Sequence, residues 1–120
     1  MKKILLLDDD KNNLEIISFI LTEFGYEVST RCSGNTIFED IKAYRPHLLL
    51  MDVMLAGLDG RVICRCIKEN ELTQFLPVIL ISGIHDLSKS MEAPGAPNDY
   101  IAKPYDMDLL LSRVKKQLAS

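Results

Sequence analysis

The sequence predicts an α/β fold, a doubly wound parallel sheet of five strands with helices on both faces. Three observations carry this. Short apolar runs recur at Lys3–Leu7, Leu48–Met51 and Val78–Ile81, without the polar alternation of a half-exposed sheet. Between them lie stretches with helical spacing, and strands alternating with helices imply βαβ units. The 120 residues suit a single domain, 1–120, large enough to bury roughly 60–70% of its unfolded surface.

The first strand, Lys3–Leu7, ends in Asp8-Asp9-Asp10, and Asp10 is placed to cap a helix. Leu14, Ile17, Leu21 and Phe24 follow at helical spacing, with Gly25 as the stop. Tyr26–Arg31 reads as the second strand. Ser33-Gly34 opens a helix carrying Ile37, Phe38 and Ile41, ended before Pro46. The third strand, Leu48–Asp52, leads into a loop with Ala56-Gly57 and Asp59-Gly60. A helix from about Gly60 to Asn70 bears Val62, Ile63, Cys66 and Ile67. Pro77 introduces the fourth strand, Val78–Ser82; Tyr100–Ala102 is the fifth, followed by Lys103-Pro104. Asp106 caps a last helix with Leu110, Val114 and Leu118 inward and Lys115-Lys116 near its C-terminus.

Gly83–Asn98 is the irregular stretch. A helix capped by Asp86 and anchored by Leu87 and Met91 must finish by Glu92, because Pro94 disfavours helical geometry at Ala93. A fourth helix of under two turns has little stability of its own, and Ala93–Pro97 should be irregular backbone. The expectation is five helices, the fourth short or irregular and its segment the most mobile. Right-handed crossovers favour strand order 2-1-3-4-5, a flavodoxin-like sheet.

Composition narrows the function. The net charge is −3 with no basic stripe, which argues against direct nucleic-acid contact. No apolar run reaches membrane-spanning length, and the apolar segment after Met1-Lys2-Lys3 is too short for a signal peptide, so a cytoplasmic protein is expected. Cys32, Cys64 and Cys66 form no disulfide framework, and residues two apart on a helix do not share a face for a metal. They read as structural or incidental thiols, as His47 and His85 read as incidental imidazoles.

In such a sheet the C-terminal ends of strands 1, 3, 4 and 5 share one rim, which then carries Asp8-Asp9, Asp52, Ser82 and Lys103. Converging carboxylates repel one another, and a divalent cation removes the difficulty. Mg²⁺ suits two or three carboxylates plus a phosphoryl oxygen. Ser82 and Lys103 suit phosphoryl oxygens as hydroxyl and mobile point charge.

An acidic pair after strand 1, an aspartate ending strand 3 before a loop with Asp-Gly, a Ser after strand 4 and Lys-Pro after strand 5 form one ordered set. It resembles the receiver domain of bacterial two-component response regulators over essentially the whole chain. The resemblance implies that Asp52 is the phosphoacceptor. Asp8, Asp9, the Asp52 carboxylate and the Met54 backbone carbonyl would hold Mg²⁺. Ser82 and Lys103 would bind the incoming phosphoryl group, and Tyr100 would be the aromatic that changes rotamer on phosphorylation. It implies as partners a sensor histidine kinase or histidine phosphotransfer protein, and an output partner or fused output domain reading the face of helix 4, strand 5 and helix 5. Ala56 departs from the family's frequent proline, and Gly83 from its usual alanine, which should open the phosphoryl pocket slightly. Met54 and Ile84 offer no side chain to position an attacking water.

Two rivals remain open on sequence. A haloacid-dehalogenase-type phosphohydrolase would use Asp8-x-Asp10, but needs a second acidic cluster where Lys103-Pro104 stands. A degenerate receiver would keep the fold as an interaction module without phosphorylation.

Overall fold

The computed structural model describes residues 1–83 and 91–119. Strands β1 (Lys3–Leu7), β2 (Glu27–Arg31), β3 (Leu48–Asp52), β6 (Val78–Ser82) and β7 (Asp99–Ala102) form one parallel sheet, ordered β2-β1-β3-β6-β7. A small antiparallel hairpin, β4 (Met54–Leu55) with β5 (Leu58–Asp59), intervenes, so β6 and β7 are the fourth and fifth sheet strands. The expected order is therefore the observed one. The register aligns Leu6 with Leu50, Leu50 with Ile79, and Ile79 with Asp99.

Alternate side chains of these strands enter opposite cores, because successive strand residues point to opposite faces. Leu5, Leu7, Leu49, Met51 and Leu80 pack with Ile37 and Ile41 of α2 (Ile37–Tyr44) and Ile63 and Ile67 of α3 (Gly60–Glu69). Ile4, Leu6, Leu50, Ile79 and Ile81 pack with Leu14, Ile17 and Leu21 of α1 (Lys11–Glu23) and Leu110 and Val114 of α4 (Met107–Leu118). Both faces are covered, which explains why β3 and β6 are buried along their whole length and lack alternation.

Three aspartates start helices. Asp10 accepts from the Asn12 N–H, Asp59 from that of Arg61 and Asp106 from that of Leu109. The Asp59 cap is a finding beyond the expected Asp10 and Asp106.

Several local expectations are corrected. The second strand starts at Glu27, since Tyr26 is used in closing α1: its N–H donates to Leu21 O. Phe24 is the α1 C-cap and 65% exposed. The helix after Ser33-Gly34 begins only at Ile37, after a turn in which Ser33 Oγ accepts from the Asn35 N–H. The buried face of α3 is Gly60, Ile63, Cys64 and Ile67, while Val62 and Cys66 point to solvent. Leu118 is only partly buried against the core.

Among the described residues there are four helices. The expected fourth helix falls largely on Ile84–Ser90, outside the described residues, as does His85. Ala93–Pro97 is irregular as expected, yet it is fastened to α3. Cys64 Sγ donates to Gly95 O at 3.6 Å, and Lys68 Nζ donates to Asn98 Oδ1 at 2.6 Å. Gly95 has φ 78°, and a Cβ there would lie 2.7 Å from Arg65 Cγ.

Candidate functional site

Four sheet strands deliver the site to one rim. β1 ends before Asp8, β3 ends in Asp52, β6 ends in Ser82 and β7 ends just before Lys103. Parallel pairing sets their relative heights: Asp52 lies opposite Ile81, and Ser82 opposite Ala102. Lys103 N–H continues the ladder by donating to Ser82 O at 2.8 Å, and the Lys103–Pro104 peptide bond is cis.

Among the described residues, the buried polar side chains are Asp8, Asp52 and Ser82, and all three stand here. Buried polar groups cost free energy unless satisfied, so three at one rim mark a site rather than scattered tolerance. Asp8 Oδ1 accepts from the Asp10 N–H at 2.9 Å, and Asp52 Oδ1 accepts from the Met54 N–H at 3.3 Å. Asp52 Oδ2 pairs with Lys103 Nζ at 2.8 Å. Asp9 is exposed and completes the acidic group.

Oxygens of Asp8, Asp9 and Asp52 lie within 4.8 Å of one another. Burial raises the Asp8 carboxyl above its ordinary value and the Asp52 charge adds to this; the Asp10 N–H and Lys103 act the other way. Burial alone would lower the Lys103 ammonium, but its bond to Asp52 and the charges of Asp52 and Asp8 leave it raised. Three carboxylates against one lysine leave excess negative charge in a partly buried cleft. This donor set, all oxygen and convergent, fits a hard divalent cation.

Gly60 explains how α3 is brought so close. A Cβ there would lie 2.5 Å from Asp52 O and 3.0 Å from Val53 Cα, and the Gly60 N–H donates to Val53 O at 2.8 Å. Glycine lets the start of α3 press on the backbone that carries Asp52. Between them, the β4–β5 hairpin turns at Ala56-Gly57, where Gly57 has φ 73°. Gly83 plays a related part, since a Cβ there would touch Lys103 Cβ at 3.3 Å. The lysine stem runs over the space an alanine methyl would fill.

The structure thus brings Asp8, Asp9, Asp52, Ser82 and Lys103 to one rim. Met54 follows as the first residue of the hairpin, its side chain half exposed. Tyr100 lies on β7, partly buried against the α2–α3 core and two strands over from Asp52, with β6 between them. Sequence reasoning missed Asn13, whose side chain lies beside Asp8 and favours its charged form. It also missed Tyr105, whose hydroxyl is raised mainly by burial and also feels the charges of Lys103, Asp8 and Asp52. Position two residues after Lys103 was the one available signal for Tyr105. Of the thiols, Cys64 is buried and pushed up to about 11, a packing residue, while Cys32 and Cys66 are exposed.

No helix among the described residues is long and apolar enough to cross a membrane. The family model of the response regulator receiver domain matches residues 4–115. The response regulator PleD of Caulobacter vibrioides is 32% identical over 114 residues, 94% of this chain and 25% of its own length. The chain thus spans about a quarter of that relative. Among solved structures, the BeF3-activated DrrB receiver domain of Thermotoga maritima is 36% identical with a TM-score of 0.82, covering 100% of this chain and 99% of that one. The Thermotoga maritima response regulator TrrA, solved in complex with Mg(2+)-BeF, is 26% identical with a TM-score of 0.86, covering 98% and 100%. With the family model matched across nearly its whole length, this chain belongs to the receiver domains of two-component response regulators.

Proposed function

We propose that Asp52 accepts a phosphoryl group from the phosphohistidine of a sensor histidine kinase or histidine phosphotransfer protein, and that residues 1–120 signal as one unit by changing conformation. The observation that carries this reading is the gathering of the buried polar side chains Asp8, Asp52 and Ser82 at one rim beside Lys103. A carboxylate oxygen of Asp52 attacks phosphorus, the P–N bond breaks, and the imidazole leaves with the electron pair. Water later attacks phosphorus in line, releasing inorganic phosphate and restoring the carboxylate.

Mg²⁺, held by Asp8, Asp9, Asp52 and the Met54 carbonyl, would neutralise phosphoryl charge when bound; the Mg(2+)-BeF complex of TrrA supports this assignment. Lys103, already 2.8 Å from Asp52, would follow the phosphoryl oxygens as the new charge develops. The Ser82 hydroxyl, at the tip of β6, would donate a hydrogen bond to the same group and draw its strand end inward. Tyr100 would report this movement to the face of β7 and α4, where an output partner or fused output domain reads it. The kinase, the output and a cytoplasmic location belong to this same reading.

A phosphohydrolase built on Asp8 and Asp10 finds no support, because the Asp10 carboxylate is engaged as the α1 N-cap at 2.9 Å. A module without phosphorylation leaves the pairing of buried Asp52 with the partly exposed Lys103 without a purpose. Incubation with acetyl phosphate and Mg²⁺ should add one phosphate to the intact mass, lost in Asp52→Asn and on chelation by EDTA. An undiminished adduct on Asp52→Asn would overturn the assignment.

A further inference from the structure

The opposite rim of the sheet carries a feature that phosphorylation does not use. Phe38, Ile41 and Lys42 of α2 follow at spacings of three and one and so share a face, and Arg45, the left-handed C-cap of that helix, lines the same groove. Across from it stands the turn between α3 and β6, and between the two lies a groove of about 670 Å³. That volume is in the range of a ligand site.

The turn is held by its own hydrogen bonds. Thr73 and Gln74 N–H donate to Asn70 O at 3.1 and 2.8 Å, and Leu72 N–H donates to Asn70 Oδ1 at 2.8 Å. Thr73 Oγ1 donates to Ile67 O at 2.6 Å, and Lys68 Nζ to Leu76 O at 2.8 Å. A backbone tied at both ends leaves Leu72 and Phe75 projecting, 91% and 87% exposed. A single exposed leucine is ordinary. Two large apolar side chains fixed beside an apolar groove, with Phe38 on the far wall, form a patch that water does not favour.

The charge at this groove selects the occupant. Lys42 and Arg45 line it, and neither makes an ion pair among the described residues. His47 also lines it; its Nδ1 accepts from the Lys3 N–H at 2.9 Å, so the neutral ring carries its hydrogen on Nε2 as a further donor. A chain of net charge −3 thus presents a locally cationic groove. Its complement is a carboxylate-bearing surface. The two projecting side chains need apolar surface from the partner as well, which a small anion lacks. A two-fold pairing of this patch with itself would set the same cations against each other.

We propose that this groove docks an acidic protein segment carrying large apolar side chains, at a site separate from the phosphoacceptor rim. His47 and Pro77 directly precede β3 and β6, so the groove lies a full strand length from Asp52. Docking and phosphorylation can therefore proceed together.

Selection of a random phage-displayed peptide library on the intact chain tests this. The enriched peptides should combine Asp or Glu with Leu, Phe or Trp and weaken as salt is raised. Their affinity should fall at least about tenfold in Lys42→Glu/Arg45→Glu and in Leu72→Ser/Phe75→Ser, and stay unchanged in Asp52→Asn. Circular dichroism melting checks that both double variants, confined to exposed side chains, remain folded. Enriched peptides without carboxylates, binding that survives either double variant, or no enrichment would overturn the proposal. So would a peptide-free dimer in sedimentation that Leu72→Ser/Phe75→Ser dissociates, which would give the groove to a second copy. Retention on phosphatidylglycerol vesicles that the charge reversal abolishes, without peptide enrichment, would give it to a lipid surface and equally overturn the proposal.

Discussion

At one rim of the sheet, Asp8, Asp52 and Ser82 are polar groups taken out of water; at the other, Leu72 and Phe75 are apolar groups held in it. Between the two rims, β3 and β6 are apolar up to their last residues, and Leu48–Met51 and Val78–Leu80 have no measurable exposure. The middle of the sheet pays the conformational cost of folding, and each rim departs from the rule that polar is outside and apolar inside. The departures have different physics. At the C-terminal rim, charges are fixed close together by strand register and by the approach of α3, so electrostatics dominates. At the N-terminal rim, a hydrogen-bonded turn offers area, so a partner's apolar surface dominates.

Substitutions that respect this contrast should have unequal effects. The largest is expected from Gly60→Ala, which drives a Cβ to 2.5 Å from Asp52 O where backbone cannot easily yield. We expect a loss of about 1–3 kcal/mol in urea denaturation together with weaker acetyl-phosphate labelling. Unchanged stability would show that the approach of α3 to β3 is looser than described.

Next, Asp9→Ala should raise the Mg²⁺ dissociation constant at least tenfold, about 1.4 kcal/mol, by tyrosine fluorescence titration. Lys42→Ala, at the other rim, should leave it unchanged. Equal effects from both would dissolve the contrast between the rims.

Asp8→Asn should act in two directions. Burial raises the Asp8 carboxyl above its ordinary 3.8, so at neutral pH its charged form is the one that destabilises the metal-free fold. Removing that charge should raise the metal-free melting temperature. The gain should shrink as pH falls toward 3.8, where the native carboxyl becomes protonated folded or unfolded alike. With saturating Mg²⁺ the order of the two proteins should reverse. A variant less stable than the parent in EDTA would show that Asp8 serves packing rather than charge.

The C-terminal rim was legible in sequence because a parallel sheet turns order along the chain into proximity. Unbroken runs such as Leu48–Met51 announce strands buried on both faces, and a carboxylate ending such a run must stand at the strand tip. Helix faces were less legible. In α3, Val62, Ile63, Cys64, Cys66 and Ile67 cover more than one stripe, and the residue that settles the face is Gly60, whose closeness to Asp52 leaves no apolar signal. The β4–β5 hairpin is two residues on each side, too short for any period. Arg45 ends α2 at φ 54°, where glycine is the usual mark. The N-terminal groove was least legible, since apolar residues such as Leu72 and Phe75 look like core until the turn is seen to hold them outward.

The central claim is that the C-terminal rim is a phosphoacceptor centred on one carboxylate. Its most direct test is to label the chain with acetyl phosphate and Mg²⁺, reduce the acyl phosphate with borohydride, and locate the resulting homoserine by tandem mass spectrometry. Conversion at Asp52 alone, with Asp8, Asp9 and Asp10 intact, is the predicted result. Conversion at Asp8 or Asp10, or none at Asp52, would contradict it.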